Sequence, residues 1–199
     1  RQMEAALRRR LGQAAKGVGF TWRRGYLEGV TFGSARAENV VAIISSEEAR
    51  FLREVAFDQV SGQDFRKIFE WEVWNRYGIF PSLRITNSFR SIQSILTTLT
   101  TLPVFKNLTD LELVDNRIGP RSVEVLAGSA NLRNLSSLNL RNNKIGATGA
   151  AILAASPNLR NLSTLNLWGN KIGGAGAAAL AESDNLRNLN TLDLGFNEI

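Results

Sequence analysis

The 199-residue sequence contains neither cysteine nor histidine. Without Cys there is no disulfide, no thiolate metal site and no Cys nucleophile. Without His the commonest general base is missing, and with it the Ser-His-Asp triad and the usual zinc-ligand sets. Any catalysis would have to rest on carboxylates, Lys, Tyr or a cofactor. Long apolar runs are missing too: no stretch of about 18 apolar residues occurs, so no transmembrane helix is encoded. The opening "RQMEAALRRRLGQ" lacks the apolar centre of a secretory signal. With neither segment the expected location is the cytoplasm. The chain starts with Arg rather than Met, as a fragment would.

What remains is an ordinary globular composition, 44% hydrophobic and 21% charged. The formal charge of +6 is unevenly placed. Residues 1–24 hold seven basic groups (Arg1, Arg8, Arg9, Arg10, Lys16, Arg23, Arg24) against one acid, Glu4. In the rest of the chain 17 basic and 17 acidic residues cancel. Basicity therefore belongs to the leading segment, and the body is neutral.

Four phrases recur 27 residues apart: "LTDLELVDNRIG" from Leu108, "LSSLNLRNNKIG" from Leu135, "LSTLNLWGNKIG" from Leu162 and "LNTLDLGFNEI" from Leu189. A fixed period in the twenties on an L-x-x-L-x-L-x-x-N core is the signature of a leucine-rich-repeat solenoid. Leu138 and Leu140, two apart, face the core from a short strand, while Ser137, Asn139 and Arg141 face solvent. Asn116, Asn143, Asn170 and Asn197 form a column at the strand exit. Their amides both donate and accept, so they suit backbone groups that would otherwise be buried unpaired. A ligand-binding role for this column is the weaker reading. The Ala-rich stretch that follows, as in "ATGAAILAASPNLRN", reads as a short helix whose Ala and Gly positions let coils approach closely.

The frame continues backwards in degenerate form through Phe80-x-x-Leu83-x-Ile85, Leu52-x-x-Val55-x-Phe57 and Leu27-x-x-Val30-x-Phe32. Seven strands are expected, with helices near 38–49, in "QDFRKIFEWEVWNR" from Gln63, and near 89–101. Residues 1 to about 15 read as an amphipathic helix through Met3, Leu7 and Leu11 that caps the apolar edge of the first coil. The division is a cap helix and lead-in over 1–25, degenerate repeats over 26–107 and regular repeats over 108–199. The sequence stops in mid-repeat at Ile199, so further repeats or another domain are expected after it.

Residues 108–199, with their 27-residue period and "N-x-I-G" turn, resemble leucine-rich repeats of the ribonuclease-inhibitor-like class. "SPNLRNLSTLNLWGNKIG" is similar to large bacterial leucine-rich-repeat proteins, and "FTWRRGYLEGVTF" with "SEEARFLREVAF" resembles their lead-in region. The resemblance implies an α/β solenoid of right-handed strand-helix coils, with a parallel concave sheet and helices on the convex side. It also implies a binding scaffold without catalytic residues or cofactors. The first three units depart from it, since Val60 and Ser88 stand where the Asn column would continue, which leaves the turn geometry there open.

Parallel stacking would place seven triplets on the concave face: Gly29, Thr31, Gly33; Glu54, Ala56, Asp58; Ser82, Arg84, Thr86; Asp110, Glu112, Val114; Ser137, Asn139, Arg141; Thr164, Asn166, Trp168; and Thr191, Asp193, Gly195. Five acids against two bases make it a poor track for phosphates. Trp168 occupies a column otherwise filled by Val114, Arg141 and Gly195, so the fold does not demand an aromatic there. Large aromatics beside Arg are enriched at binding hot spots, and Phe196 on the next coil extends the patch. The plainer reading is that Trp168 packs on a neighbouring loop.

The expected function is protein-partner binding on this face through Asp110, Glu112, Asn139, Arg141, Asn166, Trp168, Asp193 and Phe196. Asp110 and Glu112 could in principle form the carboxylate pair of a glycosidase, but an open sheet face leaves both solvated. "GGAGAAAL" at Gly173 lacks the Lys-Ser/Thr of a phosphate loop. Trp71 and Trp74, beside Phe65, Ile68 and Phe69, read as packing residues rather than a ligand box. Two alternatives stand. One is electrostatic docking to nucleic acid or an anionic surface through Arg8, Arg9, Arg10, Arg23 and Arg24, the other a recognition arm of a larger multidomain enzyme or effector.

Overall fold

The computed structural model describes residues 2–24, 26–33, 37–70 and 80–199. Trp71 and Trp74 lie outside the described residues. Eight strands form one sheet in sequence order: β1 (Val18–Arg23), β2 (Tyr26–Gly33), β3 (Glu54–Asp58), β4 (Ser82–Thr86), β5 (Asp110–Glu112), β6 (Ser137–Asn139), β7 (Thr164–Asn166) and β8 (Thr191–Asp193). From β2 onward every pair is parallel. Parallel neighbours need a crossover, and helices at Ala37–Ile44, Gly62–Glu70, Ile92–Thr101, Pro120–Ala127, Gly146–Ala155 and Gly173–Ala181 supply it.

The register is the one the repeat spacing predicts. Gly29, Glu54, Ser82, Asp110, Ser137, Thr164 and Thr191 form one row, and Thr31, Ala56, Arg84, Glu112, Asn139, Asn166 and Asp193 the next. A slip by one residue would turn Leu111, Leu138 and Leu165, each at most 1% exposed, out into water. Burying each is worth about 2 kcal/mol, which is what fixes the register.

The N-terminal region holds one more strand than the sequence pattern predicts. After the helix Gln2–Leu11 the chain forms β1, antiparallel to β2. This strand has no repeat partner to reveal it. The helix buries Leu7, whereas Met3, expected on the same apolar face, is 48% exposed. Arg8 ties the helix down: its guanidinium donates to Glu4 Oε1 (2.8 and 2.9 Å) and to the carbonyls of Ala15 (3.0 Å) and Val18 (2.8 Å). It also lies 4.7 Å from the centre of the Phe20 ring.

Two kinds of interior fill the coils. In the N-terminal half the core is aromatic: Phe32 stacks on Phe57 at 5.4 Å, and Phe65 meets Phe57, Phe69 and Phe105 at 5.8, 4.8 and 6.0 Å. In the C-terminal half leucines fill it and buried asparagines line its edge. Asn143 Oδ1 accepts the N–H groups of Asn116 (3.1 Å) and Ile118 (2.9 Å), while its Nδ2 donates to the carbonyls of Leu113 and Leu140 (both 2.8 Å). Asn170 and Asn197 repeat the pattern one and two coils on. The column does not break at the first irregular unit. Ser88 accepts the Val60 N–H at Oγ (3.0 Å), and its own N–H is held by Asn116 Oδ1 (2.8 Å). A hydroxyl thus supplies the acceptor that the missing amide would have supplied, and apolar Val60, only 2% exposed, ends the column.

Close packing of the Ala-rich helices has a visible cause. A Cβ at Gly176 would lie 2.5 Å from Ile172 Cγ2 and 3.0 Å from Ala147 Cα. Gly176 lets these coils approach so closely, whereas Gly173 serves the turn with φ 61.

Candidate protein-binding face

The sheet face opposite the helices carries three rows of side chains, and its two ends differ. Around β3–β5 the charges pair among themselves. Arg84 donates to Glu112 Oε2 at 2.9 Å and lies 3.0 Å from Glu54 Oε1, bridging three strands. Asp110 accepts the Thr109 hydroxyl at 2.6 Å, and Asp58 accepts from Thr86 Oγ1 (2.9 Å) and Asn87 Nδ2 (2.8 Å). Ala56, expected at the surface, is only 2% exposed. Its methyl is the smallest side chain of its triplet and lies below its longer neighbours.

Around β6–β8 the middle row turns inward chemically. Asn139 Oδ1 accepts the Arg141 N–H (3.1 Å), Asn166 Oδ1 the Trp168 N–H (2.9 Å), and Asp193 Oδ1 the Gly195 N–H (3.0 Å). Each of these side chains fixes the backbone of the residue two places on. Asn139 and Asn166 therefore spend their oxygens locally and leave their amide N–H groups to the face.

The three fixed residues carry the notable geometry. The Arg141 guanidinium lies 4.2 Å from the Trp168 ring centre, and Phe196 meets the indole at 4.6 Å with the rings tilted by 45°. Between them the indole spreads over Gly195, where an added Cβ would stand 2.6 Å from Trp168 Cδ1. Four successive coils meet in this arrangement when Asp115, whose N–H donates to the Arg141 carbonyl at 3.2 Å, is included. An Arg-aromatic stack of this kind is worth about 0.5–2 kcal/mol and presents a flat, partly desolvated surface.

Phe196 also breaks a local rule. The same position in the coils before it is held by Gln59 (φ 56), Asn87 (φ 52), Asp115 (φ 58), Asn142 (φ 54) and Gly169 (φ 68), all in the left-handed region, which Asn, Asp and Gly tolerate best. Phe196 adopts φ 55 and is 79% exposed. A bulky residue there costs about 1–3 kcal/mol, and strain of this sort clusters at functional sites. The backbone angle is not legible in one sequence, but an aromatic in a column otherwise of Gln, Asn, Asp and Gly is.

Three further polar columns escaped the sequence reading. Asn131, Asn158 and Asn185 donate to carbonyls of the preceding coil's helix end or the turn after it, and Asn134, Asn161 and Asn188 donate at 2.8 Å to the carbonyls of Lys106, Arg133 and Arg160. Ser129, Ser156 and Ser183 accept a backbone N–H at the start of each short turn. The signal was present in the recurring "S-x-N-L-R-N" wording. Among the described residues no group of three or more His, Cys, Asp or Glu could hold a metal ion. No described helix is long and apolar enough to cross a membrane.

Residues 106–127, 131–154 and 158–181 match the family described as Leucine Rich repeat. Matching solved structures include an internalin from Listeria monocytogenes, with 17% identity and a TM-score of 0.46, covering 85% of this chain and 48% of its own. The chain thus spans about half the length of that protein. No relative among curated proteins matches the sequence. Leucine-rich repeats generally mediate protein–protein interaction. With three matched repeats and an unbroken parallel ladder from β2 to β8, this chain is an α/β leucine-rich-repeat solenoid.

Proposed function

We propose that the solenoid is a non-enzymatic scaffold that binds a protein partner on its concave face, with Arg141, Trp168 and Phe196 as the anchor. The observation that carries this reading is the seating of Trp168: the next coil supplies Gly195, the one residue whose missing Cβ leaves room for the indole. Asp110, Glu112, Asn139, Asn166 and Asp193 lie beside the anchor in the two preceding rows and would form the polar flank of the interface. Glu112 is held by Arg84, which it shares with Glu54, and the open face around Asp110 offers no enclosure that would turn the two carboxylates into an acid-base pair. The full α-helix in each 27-residue coil supports the ribonuclease-inhibitor-like class, and the wording of the repeats supports a bacterial source.

The test is capture from native cell extract on immobilised protein, followed by titration of the recovered partner against Trp168→Ala. Affinity should fall by about 2 kcal/mol, roughly thirtyfold, with the circular dichroism unchanged. Equal affinity for the variant would remove Trp168 from the interface.

A further inference from the structure

At the opposite end of the sheet, where strands β2 and β3 begin, lies a second site. A recess of about 530 Å³ is lined by Arg23, Arg24, Tyr26, Glu28, Phe51 and Arg53. The recess is open to solvent, as a surface that receives a peptide side chain would be. Its apolar part is the Tyr26–Phe51 pair, packed edge to face at 4.4 Å, yet the two residues remain 50% and 47% exposed. The Arg50 guanidinium lies 4.9 Å from the Phe51 ring centre.

The charges do not cancel. Arg23 pairs with Glu28 at 3.2 Å, whereas Arg24 and Arg53 are exposed and make no ion pair among the described residues. The backbone is shaped for this arrangement. The β1–β2 register jumps between Thr21 and Trp22, so that Gly29 and Leu27 are paired and Glu28 is the extra residue. A bulge of this kind re-aims a side chain, and here it lets Leu27 stay buried while Glu28 reaches Arg23. Arg24 itself holds φ 49 at the hairpin turn, a conformation that turns usually assign to Asn, Asp or Gly.

We propose that this recess binds an acidic peptide segment, with one aromatic side chain of the segment on Tyr26 and Phe51 and its flanking carboxylates on Arg24 and Arg53. Charge complementarity selects the partner: two unpaired guanidinium groups lining the same recess as an exposed aromatic pair match a carboxylate-aromatic-carboxylate pattern. The surroundings argue against a nucleic-acid strand. A continuous phosphate backbone leaving the recess toward the sheet face would meet Glu54, Asp58 and Glu112 within the next strands. Of the basic leader, only Arg23 and Arg24 reach this site, and Arg8 is already held by Glu4 and backbone carbonyls. The site is independent of the Trp168 anchor.

Fluorescence anisotropy with the labelled pentapeptide DEFDE tests the proposal, with NQFNQ, DEADE and a fifteen-residue oligothymidylate as comparisons. DEFDE should bind at least about tenfold more tightly than NQFNQ or DEADE, because losing a desolvated charge contact or an aromatic anchor each costs that much. The double variant Arg24→Glu/Arg53→Glu and, separately, Phe51→Ala should lose that advantage, with circular dichroism confirming the fold. Trp168→Ala should leave it unchanged, which separates this site from the concave face. Equal binding of DEFDE and NQFNQ, equal binding by the charge-reversed protein, or tighter binding of oligothymidylate would each overturn the proposal.

Discussion

The two halves of this solenoid solve one stacking problem with different materials. From Leu108 onward each coil is held by leucines and by an asparagine whose amide closes the strand exit. Before Leu108 the spacing is 28 residues for two coils and 25 for the first, phenylalanines fill the interior, and a serine is the last member of the polar column. Both halves keep one unbroken sheet. A parallel ladder thus tolerates replacement of a hydrogen-bonded edge by an aromatic centre, provided the core face stays in register. The regular half gains repetition and a uniform face; the irregular half gains room for the bulge, the extra strand and the recess at Phe51.

The comparison can be broken most severely at Phe65. Its ring is fully buried against three other phenylalanines, so Phe65→Ala should lower stability by about 3–5 kcal/mol in urea unfolding. A loss under about 2 kcal/mol would mean that the aromatic centre does not carry the irregular half. The polar column gives the next largest effect. Asn143→Ala leaves two backbone N–H groups and two interior carbonyls without this partner, and should cost about 2–4 kcal/mol. Ser88→Ala removes one acceptor and should cost only about 1 kcal/mol. Equal losses would erase the distinction between the amide and hydroxyl members of the column. The smallest effect sharpens the picture of the regular half. Phe196→Asn restores the residue type that its backbone angle favours and should raise stability by about 1 kcal/mol, while weakening partner binding. A drop in melting temperature would show that Phe196 is held by packing rather than against it.

Much of this architecture is legible in the residues themselves. The period places Glu54, Ser82, Asp110, Ser137 and Thr164 side by side, because strands of a solenoid inherit their register from repeat length. The period cannot reach what does not repeat. Strand β1 has no copy elsewhere. The recess joins Arg23 and Arg24 to Phe51 and Arg53 across a sequence gap that no periodicity marks. The pairing of Arg84 with both Glu54 and Glu112 depends on a long side chain spanning three strands. At the concave face the sequence picks out Trp168 by its departure from its column. It does not show that Asn139, Asn166 and Asp193 serve their own backbones first.

The asparagine column also gives the solenoid a direction. Asn143 serves the backbone of the coil before it, through Asn116, Ile118 and Leu113, and Asn170 and Asn197 do the same for theirs. Lifting a coil off its predecessor therefore strips the predecessor's turn of its partners. Lifting the predecessor away leaves the coil's own turn its amide from the following coil, although the Lys144 N–H loses the Ile118 carbonyl. The two ends of such a stack are therefore unlike: a coil bared on its C-terminal side has lost the amide that served its turn, whereas a coil bared on its N-terminal side keeps that amide and loses ladder partners such as the Thr109 and Ile118 carbonyls.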